Sequence, residues 1–149
     1  MDSDETVRRL GLAPHPEGGF YRETFRSPLL LRLPDGRVRP ASTAIHYLLP
    51  AGRLSAWHRV ASDEIWHHYD GGALRLHLLG AGVRVLDAGN PQAMVPAGTW
   101  QAAEPVQGAV LCGCTVAPGF EFADFELGEV EHLAQHYPAE AALIRRLGR

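Results

Sequence analysis

From Gly19 to about Leu127, apolar residues fall in short runs, many alternating with polar ones, and Gly or Pro interrupts them about every ten residues. Period-two alternation is the signature of strands buried on one face. Strands are expected at about residues 20 to 26, 29 to 33, 37 to 49, 54 to 59, 64 to 69, 73 to 79, 83 to 87, 93 to 95, 101 to 103, 109 to 116 and 120 to 126. The clearest turn is Leu33-Pro34-Asp35-Gly36-Arg37, where Pro presets one dihedral and Asp-Gly accepts positive φ between two extended arms. Helical spacing occurs only outside this stretch. Asp2 is placed to cap a helix ending at Gly11, with Glu5 completing a capping box. After Gly128, Val130, Leu133 and Ala134 recur at helical intervals, and Pro138 opens a second helix containing Ala141, Ala142, Ile144 and Leu147. The pattern predicts one all-β domain over residues 1–149, a closed antiparallel double-sheet barrel with short helices at its two ends.

Composition narrows the function. With 46% hydrophobic and 21% charged residues, the chain has the balance of a globular protein. Its formal net charge is −3, and its basic residues are scattered, so no phosphate-tracking surface for nucleic acid is expected. All 14 basic residues are Arg. The lack of lysine excludes Schiff-base chemistry, lysine-anchored pyridoxal phosphate and the lysine-dependent phosphate loop. The acidic start Met1-Asp2-Ser3-Asp4-Glu5 and the absence of any long apolar run predict a cytoplasmic protein without membrane contact. Cys112 and Cys114 would share one strand face and are expected to be reduced core residues.

The chemistry concentrates in two stretches. Gly52, His58, Glu64 and Gly71 are spaced as in the first cupin motif, with Val60 where that motif has a second His. Pro96-Ala97-Gly98-Thr99-Trp100-Gln101 resembles the second motif, with Gln101 at its His position. A narrower resemblance runs through His15-Pro16-Glu17-Gly18-Gly19-Phe20-Tyr21-Arg22-Glu23-Thr24, Trp57-His58-Arg59, Asp63-Glu64-Ile65-Trp66-His67 and Gly113-Cys114-Thr115-Val116-Ala117-Pro118-Gly119-Phe120. These segments are similar to those of the cupin-5, or DUF985, family. The resemblance implies a jelly-roll barrel, a homodimer, and a shape related to sugar-nucleotide epimerases of the rhamnose pathway.

Strand parity adds a reading of the pocket. If Glu64 points inward, so do Trp66 and His68, while His67 faces out; a bulge at Asp63 or Glu64 would exchange the two histidines. His58, Glu64 and His68 are therefore the candidate acid and base groups. Glu17, Arg22, Tyr47, Trp66, His67 and Gln101 are candidate substrate contacts, Arg22 as a fork for carboxylate or phosphate. A divalent metal, if held, would sit on His58, Glu64 and Gln101, although a carboxamide is a weak ligand for transition metals. The expected function is an isomerase- or epimerase-like enzyme moving protons on a small, carbohydrate-like or otherwise polar metabolite. The alternatives are a metal-dependent cupin enzyme and a non-catalytic metabolite-binding or sensing module.

Overall fold

The computed structural model describes residues 1–148. Helix α1 (Ser3–Leu10) starts where Asp2 accepts the backbone N–H of Glu5 and stops where Gly11 turns left-handed at φ 66°. Then come β1 (Ala13–Pro14), β2 (Phe20–Arg26), the hairpin β3 (Leu30–Arg32) and β4 (Val38–Pro40), and β5 (Thr43–Leu49). The central strands are β6 (Ser55–Val60), β7 (Asp63–Gly71), β8 (Leu74–Leu78), β9 (Gly82–Leu86), β10 (Gln92–Val95), β11 (Gln101–Pro105) and β12 (Val110–Ala117). A 3₁₀ turn at Phe122–Asp124 leads into β13 (Phe125–Leu127), and the chain ends in α2 (Val130–His136), a 3₁₀ turn at Pro138–Glu140, and α3 (Ala141–Arg146).

The strands form two antiparallel sheets, ordered β1-β2-β5-β12-β7-β10 and β13-β6-β11-β8-β9, with β3-β4 as a separate ribbon. The expected closed barrel is thus a jelly-roll sandwich of two sheets. Between them Tyr47, Trp66, Leu74, Leu76, Leu78, Leu86, Val95, Val110 and Cys112 make the main core. A second cluster of Trp57, Leu79, Trp100, Ala102, Leu133, Ile144 and Leu147 glues the C-terminal helices to the outer face of the β6-β11-β8 sheet. Trp57 Nε1 donates to the Ile144 carbonyl at 3.0 Å, so its bulk is buried without orphaning its N–H.

Three expectations are corrected. The strand expected over 37 to 49 breaks at Ala41 and Ser42, where the chain leaves the ribbon to enter the large sheet. Residues 120 to 126 are mostly not strand: only Phe125–Leu127 pairs, against β6, and the preceding turn projects phenylalanines inward. Pro138 opens a 3₁₀ turn, with the second helix proper beginning at Ala141. The absence of any helix between β2 and the 3₁₀ turn at Phe122 holds among the described residues. No helix among the described residues is long and apolar enough to cross a membrane. Both cysteines are buried and free.

Candidate functional site

A cavity of about 390 Å³ opens between the inner faces of the two sheets. Its floor is built by a sharp reversal ahead of β2. The Gly18 N–H donates to the His15 carbonyl and the His15 N–H to the Gly19 carbonyl, both at 3.0 Å. Gly18 and Gly19 adopt φ of 110° and 72°. A Cβ on Gly18 would lie 2.2 Å from the Leu54 carbonyl oxygen, and one on Gly19 2.7 Å from the Tyr47 hydroxyl. Only glycine permits both the dihedrals and the approach. The turn thereby presses Glu17 onto the start of β6, where its carbonyl accepts the Ala56 N–H at 2.7 Å.

Strand β6 carries a bulge against β11: His58 pairs with Gln101 and Ser55 with Ala103, so two residues of β6 oppose the single Ala102. The bulge resets side-chain parity, and Ser55 reaches the Glu17 carboxyl, to which its hydroxyl donates. His58 Nδ1 lies 2.8 Å from the Ala56 carbonyl oxygen. A carbonyl only accepts, so Nδ1 bears the proton and Nε2 presents a lone pair to the cavity. That Nε2 is 3.5 Å from Glu17 Oε1. On the other side of Glu17, His15 Nδ1 is 3.3 Å from the same oxygen and accepts the Glu17 N–H at 3.1 Å.

The buried groups are tuned toward neutrality. Burial pushes Glu17 up to about 8, against the pull of the Ser55 and Tyr47 hydroxyls. Burial also lifts Glu64 to about 7, against its attraction to His58. His15 falls to about 4 through burial and the neighbouring His58, and burial lowers His58 as well. The Glu17 contacts with the two imidazoles are therefore close approaches of neutral groups near neutral pH rather than ion pairs. Cys114 also lines the cavity, its thiol pushed well up by burial.

Glu64 is held from behind. Trp66 Nε1 donates to Gln101 Oε1 at 2.9 Å, and Gln101 Nε2 donates to Glu64 Oε1 at 2.8 Å. Because an indole N–H can only donate, the orientation of the amide is fixed and its donor end faces Glu64. Gln101 is fully buried and absent from the cavity lining. The donors expected for a divalent metal, His58, Glu64 and Gln101, thus do not fit one: the amide offers Glu64 its N–H rather than offering an ion its oxygen. Among the described residues no group of three His, Cys, Asp or Glu side chains is arranged to hold a metal ion.

The other expected residues divide. Glu17, Tyr47, His58, Glu64 and Trp66 line the cavity, and Arg22 lies at its exposed rim. His68 and His67 do not line it. His68 has the inward parity but lies four residues beyond Glu64, about 13 Å along an extended chain, and its ring bonds the Gly72 carbonyl at 2.9 Å. His67 faces outward, 2.9 Å from the Thr115 hydroxyl and within reach of Gln92. Spacing and parity single out neither His15 and the cover of Phe120, Phe122 and Phe125, which line the cavity, nor Ser55, which bonds Glu17. Phe125 stacks on His58 with ring centroids 5.6 Å apart. The signal for His15 in the sequence is that it opens the family-like segment running to Thr24; nothing there announces the bulge that turns Ser55 inward.

No curated protein matches the chain. Among solved structures, a hypothetical protein from Leishmania major is 30% identical, with a TM-score of 0.91 and 99% of each chain covered. A Shewanella oneidensis protein is 34% identical, with a TM-score of 0.87, covering 100% of this chain and 98% of that one. KdgF from Halomonas sp. is 16% identical, with a TM-score of 0.58 over 75% of this chain and 89% of its own, a likeness of fold. The model of the cupin superfamily family DUF985 matches residues 4–128. With most of its length under that match, the chain belongs to the DUF985 family of the cupin superfamily.

Proposed function

We propose that the cavity binds a small polar metabolite and moves a proton on it, in the manner of an isomerase or epimerase. The carrying observation is the lone pair of His58 Nε2, 3.5 Å from a Glu17 carboxyl that burial keeps protonated near neutral pH. A neutral imidazole and a neutral carboxylic acid side by side supply a base and an acid at once. In this reading His58 Nε2 takes a proton from a carbon next to a carbonyl. The electron pair moves to the carbonyl oxygen, which a protonated carboxyl, Glu17 or Glu64, stabilises by hydrogen bonding. Return of a proton to carbon, from the same or the opposite face, completes exchange or inversion. Gln101 and Trp66 act by positioning Glu64, and Phe125 holds the His58 ring by stacking.

The test is solvent exchange. A panel of small hydroxy-aldehydes, hydroxy-ketones and amino-substituted carbonyl compounds is incubated with the protein in D₂O and followed by proton NMR. Enzyme-dependent loss of one C–H signal, abolished by His58→Ala and reduced at least about a hundredfold by Glu17→Gln, is expected, the usual scale for a positioned acid or base. Exchange that survives His58→Ala would remove the imidazole from the mechanism.

A further inference from the structure

The cavity has an unusual imbalance of charge. Glu17 and Glu64 both line it and are buried, yet among the described residues no arginine pairs with either carboxyl. Their polar neighbours are neutral: Ser55 and Tyr47 hydroxyls at Glu17, the Gln101 amide and Cys114 thiol at Glu64, and the imidazoles of His15 and His58. The two guanidiniums at the rim do not compensate. Arg26 is spent on Glu23 and Glu121, at 2.8 and 2.9 Å, and Arg22 lies on the exposed strand edge. Buried carboxyls are ordinarily paired, and an unpaired one costs free energy or stays protonated.

The walls complete the description. Tyr21, Tyr47, Trp66, Phe120, Phe122 and Phe125 surround the space. Tyr47 meets Trp66 edge to face at 5.6 Å, and Phe122 meets Phe120 and Phe125 at 5.0 and 5.9 Å. Aromatic faces attract organic cations through their quadrupoles, most strongly where water is excluded. A hydrated metal ion would meet no such donor set, since no three-group metal cluster exists among the described residues.

We propose that this cavity recognises a small organic cation of the ammonium class, its charge held by Glu17 and Glu64 and its carbon substituents by the surrounding rings. The inference rests on the reading of this cavity as the functional site and names its ligand class. One carboxyl releases its proton to the solvent as the cation enters, and the cation takes the place of that charge. His58 stays neutral and keeps its lone pair. A neutral ligand of the same shape gains only the apolar contacts.

The probes are choline and its uncharged carbon isostere 3,3-dimethylbutan-1-ol, supplemented by tetramethylammonium and ethylammonium, titrated into the full chain by calorimetry from pH 6 to 9. At least one ammonium probe is expected to bind, and choline at least about tenfold tighter than its isostere. Affinity should rise by up to about tenfold per pH unit from pH 6 and level off above about pH 8, as the displaced proton requires. Buffers of different ionisation enthalpy should report proton release at pH 7. Glu64→Gln and Glu17→Gln should each weaken the cation and leave the isostere unchanged. Equal binding of choline and isostere, no binding by any ammonium probe, or affinity independent of pH would each overturn the proposal. Failure of the proton-transfer reading would look different: cation binding intact, with no deuterium exchange.

Discussion

Replacing Glu17 by Gln removes an ionisable group while keeping its size and its ability to accept from Ser55. In the folded protein burial raises this carboxyl from its ordinary 4.5 to about 8. Between those two pH values the unfolded chain has released the proton that the native cavity still holds. Unfolding therefore releases a proton, and stability falls as pH rises. The contribution is fully present below pH 4.5 and lost by the time pH passes 8. The slope is about 1.4 kcal/mol per pH unit, so the loss over the whole window is about 4 to 5 kcal/mol. Glu64, raised to about 7, acts in the same direction over a narrower window. The two share one cavity, so the second charge is harder to place than the first and their effects do not simply add. His15, lowered to about 4, works oppositely: its contribution is present above pH 6.5 and lost as pH falls toward 4. It is retained in both proteins and cancels in their difference. The assay is urea unfolding of wild type and Glu17→Gln at half-unit steps from pH 5 to 9. The two should be nearly equal in stability at pH 5, the variant gaining steadily up to pH 8 and staying ahead by a constant margin above it. Parallel curves across that range would show that Glu17 ionises as an ordinary carboxyl, and the neutral acid at the heart of the proposed chemistry would be lost with it.

Gly19→Ala should lower stability by more than about 2 kcal/mol and impair binding in the cavity, because the new Cβ meets the Tyr47 hydroxyl and the Leu48 carbonyl at a positive φ; a melting temperature within a degree of wild type would contradict the close approach. Gln101→Leu leaves the Trp66 N–H and one Glu64 oxygen unpaired, and each should cost about 1 to 3 kcal/mol. Removing that donor should also raise the Glu64 pKa further, read by infrared titration of the carboxyl in a Glu17→Gln background; an unchanged titration would show that the amide does not govern Glu64. The protein is expected to be a homodimer, since β1 and β10 leave sheet edges unpaired within the chain and Phe25, Leu29, Leu30 and Val38 expose apolar surface nearby. Light scattering at micromolar concentration giving a monomer mass would reject it.

The sandwich was legible because alternation, turn chemistry and Gly-Pro spacing are local, and they agree in the stretch from β2 to β12. The break at Ala41 was not, because Val38 to Leu49 reads as one extended run and only the change of sheet divides it. Strand parity puts Trp66 on the face of Glu64, and both line the cavity together with His58, which motif spacing singles out. Parity could not say how deep along a strand the cavity extends, and so it included His68, which has the right face at the wrong depth. Parity also fails wherever a bulge resets it, which is why Ser55 went unseen. Gln101 reads from the sequence as a substrate contact and a metal ligand; its role follows only from its place opposite His58 and from Trp66, whose N–H dictates which end of the amide meets Glu64. Glu17 reads from the sequence only as one of several candidate substrate contacts. Its place at the centre depends on the glycine turn folding the lead-in back onto β6, a tertiary event that no periodicity encodes.

The Trp66-Gln101-Glu64 chain makes the molecule its own optical instrument. A change of charge on Glu64 reaches the indole through two hydrogen bonds, altering the field across a chromophore that is almost wholly shielded from solvent. Trp57 and Trp100 belong to the separate cluster beneath the C-terminal helices and serve as a steady background. The intrinsic emission of Trp66 should therefore titrate with Glu64 and shift when a charged molecule enters the cavity. A label-free fluorescence screen of metabolites can then be run on the unmodified protein, with Trp66→Phe as its blank.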